Sequence, residues 1–98
     1  MALIAILELA FAPDKLDAAR EVMSRVIAET RAYEGCQGVD VVIDIADETR
    51  WRFIETWASP EHDAAYRAWR AGEGAIADLG PLLAGAPVLT RGAVDPTI

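Results

Sequence analysis

The first strand-forming stretch of this chain is apolar on both faces, and no other feature limits its folds as much. Residues 2–11 are almost entirely apolar: Leu3, Ala5, Leu7 and Leu9 fall on one side of an extended chain, Ile4 and Ile6 on the other. Pro13 ends the run because it cannot donate to a ladder. Such a strand needs cover on both sides, and a layer of helices supplies it on one. Four strands of about seven residues at about 4.8 Å spacing leave roughly 450 Å² on the other side, near the largest apolar patch that a monomer tolerates. A second copy related by a twofold axis is the economical cover, so a homodimer is expected. The alternative is a polar face open to solvent, which Asp40, Asp44 and Arg52 favour.

Downstream, the pattern switches period. From Asp14, the expected N-cap, Leu16, Ala19, Met23, Val26, Ile27 and Thr30 recur at spacings of three and four, which predicts an amphipathic helix of about five turns. Asp17, Arg20, Glu21, Arg25 and Glu29 pair at helical spacings on its solvent face, and Gly35 is the expected left-handed cap. Val39, Val41, Ile43 and Ile45 then alternate with Asp40, Val42 and Asp44, and a polar turn over 47–50 leads into a third strand. Trp51, Phe53, Glu55 and Trp57 share one face of that strand. Ser59-Pro60 starts a second helix, because Ser caps free amides and Pro at the first helical position loses no bond. This helix is expected to reach Ala71, break at Gly72-Glu73-Gly74, and give way to a short helix carrying Ile76, Leu79, Leu82 and Leu83. Residues 87–94 read as a last strand. The order β-α-β-β-α-(α)-β implies an α+β, ferredoxin-like antiparallel sheet with helices on one face.

Size and charge narrow the function. Ninety-eight residues suit one modest core, hence one domain over 1–98. Sixteen acidic against 9 basic residues, with no basic cluster, argue against nucleic acid or an anionic membrane as partner. The apolar start is too short to span a bilayer, lacks a basic flank and runs into Glu8, and the single cysteine excludes an internal disulfide; a cytoplasmic setting is expected. One histidine and one cysteine leave no first-row metal site, and no cofactor is expected. Cys36 reads as a packing residue. The stretch Gly72-x-Gly74-x-x-Ala77 follows a helix, and its Glu73 would repel a pyrophosphate, so it is not a dinucleotide fingerprint. Asp44, Asp47 and Glu48 fit a solvated hairpin better than a cation loop.

Two constellations carry candidate chemistry. On the second helix His62, Tyr66 and Trp69 form one stripe with Arg70 beside it, offering a base, a phenol, a flat ring and a cation; the alternative is that Tyr66 and Trp69 are core and His62 is a surface residue. Glu55, flanked on its strand face by Phe53 and Trp57, sits in an apolar setting that would favour its neutral form and make it a proton acceptor; alternatively it pairs with Arg52, Arg70 or Arg91. Glu8 presents the same choice.

The stretches Phe11-Ala12-Pro13-Asp14-Lys15, Glu34-Gly35-Cys36 and, above all, Glu55-Thr56-Trp57-Ala58-Ser59-Pro60-Glu61 resemble the antibiotic biosynthesis monooxygenase (ABM) family, whose E-x-W-x-S-x-E pattern the last one fits. The resemblance spans nearly the whole chain and implies a dimeric α/β barrel. It also implies cofactor-independent oxygenation of an electron-rich aromatic, a phenol or quinol, by O₂. In that reading His62 or Glu55 moves the proton, Tyr66 bonds the phenol, Trp69 stacks, and Arg70 stabilises the anion, with Trp57 and Phe53 lining the site. The sequence departs from the family where Tyr66 replaces a frequent histidine. The haem-degrading branch is disfavoured, because Leu7, Tyr66 and Ile76 occupy the places of its asparagine, tryptophan and histidine. A non-catalytic ligand-binding or sensing homodimer, or a cofactor-free isomerase, would use the same fold.

Overall fold

A computed structural model describes residues 2–98. Strand β1 (Leu3–Ala10) is followed by a 3₁₀ turn (Pro13–Lys15) and helix α1 (Leu16–Ala32). Then come β2 (Cys36–Ile43), β3 (Arg50–Trp57), α2 (Pro60–Ala71), a 3₁₀ turn (Gly80–Leu82) and β4 (Val88–Ala93). The strands form one antiparallel sheet in the order β2-β3-β1-β4, with β1 and β3 central, which is the ferredoxin-like arrangement the pattern predicts. No helix among the described residues is long and apolar enough to cross a membrane.

Strand alternation fixes which side chains the helices cover. Leu3, Ala5 and Leu9 of β1 and Trp51, Phe53, Glu55 and Trp57 of β3 are buried under α1 and α2. One part of the core gathers Leu9, Phe11, Trp51 and Phe53 against Met23, Val26 and Ile27 of α1. The other gathers Leu3, Ala5 and Trp57 against Tyr66 of α2. Ile4, Ile6 and Ile54 project to the opposite face and are half-buried by their sheet neighbours alone; Val42 and Val88, on the same face, are 40% and 53% exposed. That face is not purely apolar, since Arg52 reaches Glu8 at 3.1 Å and Asp44 at 3.9 Å.

Local chemistry moves several boundaries. Asp14 does not cap α1: Pro13 presets a tight turn whose Lys15 N–H bonds to Ala12 O, and Lys15 precedes the helix without a side-chain cap. Strand β2 begins at Cys36 and ends at Ile43, because Asp44 accepts from the amides of Ala46 and Asp47 and turns the chain, leaving Ile45 fully exposed. The expected short helix shrinks to Gly80–Leu82, where Pro81 has no amide to extend it, although Leu82 is buried as the pattern requires.

Gly35 has the expected positive φ, +87°, although Tyr33 already caps α1. Its role is close approach: a Cβ there would lie 2.2 Å from the His62 ring, and Gly35 O accepts from Ala58 N. Gly35→Ala should therefore cost about 2–4 kcal/mol in urea unfolding, combining left-handed strain with the clash. In a His62→Gly background, which removes the His62 Cβ at 2.4 Å together with the ring, only the backbone part, about 1–2 kcal/mol, should remain. Equal costs in the two backgrounds would show that the His62 contact is immaterial.

Candidate functional site

Helix α2 carries most of the candidate residues, and it is anchored where Ser59 accepts a bond from the His62 amide and sits 2.6 Å from His62 Nδ1. His62 is thereby a half-buried end-of-helix residue packed on Gly35.

One turn on, Tyr66 is buried with its hydroxyl 2.7 Å from Thr30 Oγ1. Thr30 spends its own proton on Val26 O, so Tyr66 donates to Thr30 and accepts from Arg70 Nε at 2.7 Å. Arg70 is as fully used. Its remaining N–H groups reach Glu29 and Gly74 O through Nη1, and Val26 O and Thr30 through Nη2, clamping α2 to α1. The guanidinium also lies 4.5 Å from the centre of the Trp69 ring, and Gly74 is packed so closely on that ring that a Cβ would lie 2.3 Å from it.

Glu55 is buried and ionically paired, but with none of the three arginines expected. Its partner is Arg67, and Trp57 Nε1 donates to the same carboxylate oxygen at 2.9 Å. Arg67 also reaches Asp63, which is fully buried and bonded in turn to Arg91 of β4. Two carboxylates and two guanidiniums thus balance in a chain that joins β3, α2 and β4, and this balance allows the acids to be buried. Burial pushes the Cys36 thiol above its ordinary pKa, consistent with packing.

The seven candidate residues do not converge on one cavity. Trp69 and Arg70 line a cavity of about 530 Å³ between α1 and the segment after α2, together with Glu29 and residues 73–78. Tyr66 reaches it only through its bond to Arg70. Phe53 and Trp57 have no exposed surface and are core. Glu55 and His62 are not on its wall. Glu29, which the helical spacing pairs with Arg25 on the solvent face of α1, instead meets Arg70, 41 residues away, while Arg25 takes Asp78. The Asp63–Arg67 pair was legible as an i,i+4 spacing, whereas Arg67 with Glu55 was not.

This architecture can be set beside known proteins. The model of the antibiotic biosynthesis monooxygenase (ABM) family matches residues 2–77. The chain belongs to that family. Among solved structures it is similar to Rv0793 from Mycobacterium tuberculosis, with 22% identity, 96% of this chain and 95% of that one covered, and a TM-score of 0.82. It is also similar to a conserved protein from Methanosarcina mazei Go1, at 15% identity over 94% and 91% of the two chains with a TM-score of 0.83. An antibiotic biosynthesis monooxygenase gives 21% identity, 96% and 99% coverage and a TM-score of 0.80. At these identities the likeness is one of fold. Among curated proteins none matches significantly.

The buried charge chain makes a direct prediction. Arg67→Met leaves Glu55 and Asp63 short of positive charge, so it should lower unfolding free energy in urea by about 3–5 kcal/mol. Adding Glu55→Gln should recover part of the loss; no recovery would mean that packing of the arginine stem, not its charge, matters.

Proposed function

We propose that this ABM protein acts as a homodimer that oxygenates an electron-rich phenol or quinol with O₂ and no bound cofactor. The observation that carries the reading is the grouping, on one cavity wall, of the Trp69 ring, the Arg70 guanidinium and the Glu29 carboxylate 3.1 Å from it. A phenol entering between Glu29 and Arg70 would give its proton to the carboxylate and leave its anion beside the cation. The phenolate then passes one electron to O₂, the radical pair combines, and the hydroperoxide loses water, so that a CH₂ and O₂ become C=O and H₂O. Tyr66 would hold Arg70 in place, and Trp69 would border the ring. In this reading His62 and Glu55 support the helix and the sheet, and Phe53 and Trp57 form the floor beneath them.

Oxygen uptake with an anthrone or a hydroquinone is the test. Glu29 is half-exposed, so Glu29→Gln should leave the melting temperature unchanged and slow uptake about 100-fold. Uptake equal to wild type would remove Glu29 from the reaction. The complete use of Arg70 and Tyr66 within the protein favours a second reading, binding without turnover. That reading predicts a raised melting temperature with anthrones and no oxygen consumption.

The dimer rests on the uncovered sheet face, where Ile4, Ile6, Ile54, Val42 and Val88 meet no helix. Sedimentation at micromolar concentration should give twice the chain mass, and Ile54→Asp should give a folded monomer. A folded wild-type monomer would defeat this part of the proposal.

A further inference from the structure

A second concavity lies on the far side of α1, against the edge strand β2, and it is independent of the site just described. Met23 and Ile27 of α1 and Val41 and Ile43 of β2 give it an apolar floor, and Trp51 lies at one end. Its volume is about 280 Å³, close to the lower bound of ordinary small-molecule sites, about 300 Å³. Met23 and Ile27 are nearly buried, whereas Val41 keeps 40% of its surface exposed, so an apolar guest would gain contact mainly on the β2 side.

The charges around this floor are one-sided. Arg20 and Arg31 line it, and no carboxylate does, in a chain with 16 acidic and 9 basic residues. Among the described residues, every other arginine that forms an ion pair does so elsewhere, and Arg20 and Arg31 form none. Arg31 donates through Nη2 to Val39 O at 2.9 Å, which orients its guanidinium at the head of the groove and leaves further N–H groups free. Arg20 lies 5.7 Å from the centre of the Trp51 ring and shares the adjoining cavity with Asp17 and Glu48, whose charges offset its own. The less compensated cation is therefore Arg31.

We propose that the α1–β2 groove binds a small amphipathic carboxylate, its alkyl or aryl body over Met23, Ile27, Val41 and Ile43 and its carboxylate on Arg31. Octanoate, with about ten non-hydrogen atoms, is a suitable probe for a site of this size. Titrated into the full ¹⁵N-labelled chain, it should move the amide signals of Ile27, Val41 and Ile43 saturably, and octylammonium should not. Arg31→Gln should weaken octanoate binding about tenfold, the effect of losing one charge-assisted hydrogen bond. If Arg31→Gln disturbs the fold by releasing Val39 O, Arg31→Lys keeps the charge and should retain binding. Added salt should weaken octanoate in the wild type. Equal binding of the two amphiphiles, shifts confined to the Ile4, Ile6 and Ile54 face, absence of saturation, or unchanged affinity in Arg31→Gln would each overturn the proposal.

Discussion

Two helices lie on one face of four strands, and the consequences of that asymmetry run through the molecule. The odd-numbered residues of β1 and β3 reach the helices and build the core, so Trp51, Phe53 and Trp57 are almost completely withdrawn from water. The even-numbered residues of the same strands receive no helix. A single-residue shift in the β1–β3 register would exchange the two sets and expose the aromatic row, so the pairing Leu7 with Phe53 and Leu3 with Trp57 is strongly specified.

Holding the helices in place is left to polar groups as much as to packing. Arg70 and Tyr66 fasten α2 to Thr30 and Val26 of α1, while Arg67, Asp63 and Arg91 fasten it to β3 and β4 through Glu55. Each buried acid has at least one guanidinium, Arg67 and Arg70 each have more than one acceptor, and no buried side-chain polar atom among the described residues lacks a partner. The same completeness bears on function. Groups that are fully bonded inside the protein change their bonding only if a ligand replaces a partner, and Glu29, half-exposed at the end of the Arg70 network, is the partner most easily replaced.

Much of the fold was legible in residue spacing. The period of two in β1 and β3, the spacing of three and four in α1, and the Ser59-Pro60 start of α2 are local patterns, and each element forms where its pattern lies. Boundaries were less legible at Asp14 and Ile45, where a proline turn and an aspartate turn compete with the regular element. For the candidate site, the stripe His62, Tyr66 and Trp69 was correct as a helix face, yet its members point to different surroundings: the first turn, the core and a cavity wall.

The sequence by itself determined the elements, their order and which face of each is apolar, because those follow from side-chain periodicity along a few consecutive residues. It also carried the family pattern, since Glu55, Trp57, Ser59 and Glu61 are close in the chain. Only the tertiary structure decided that Glu55 meets Arg67, that Arg70 meets Glu29, and that Arg31 faces an apolar groove rather than an acid. Those partners are separated along the chain or lie on different elements, and long flexible side chains choose among several oppositely charged neighbours according to the three-dimensional distances that packing sets.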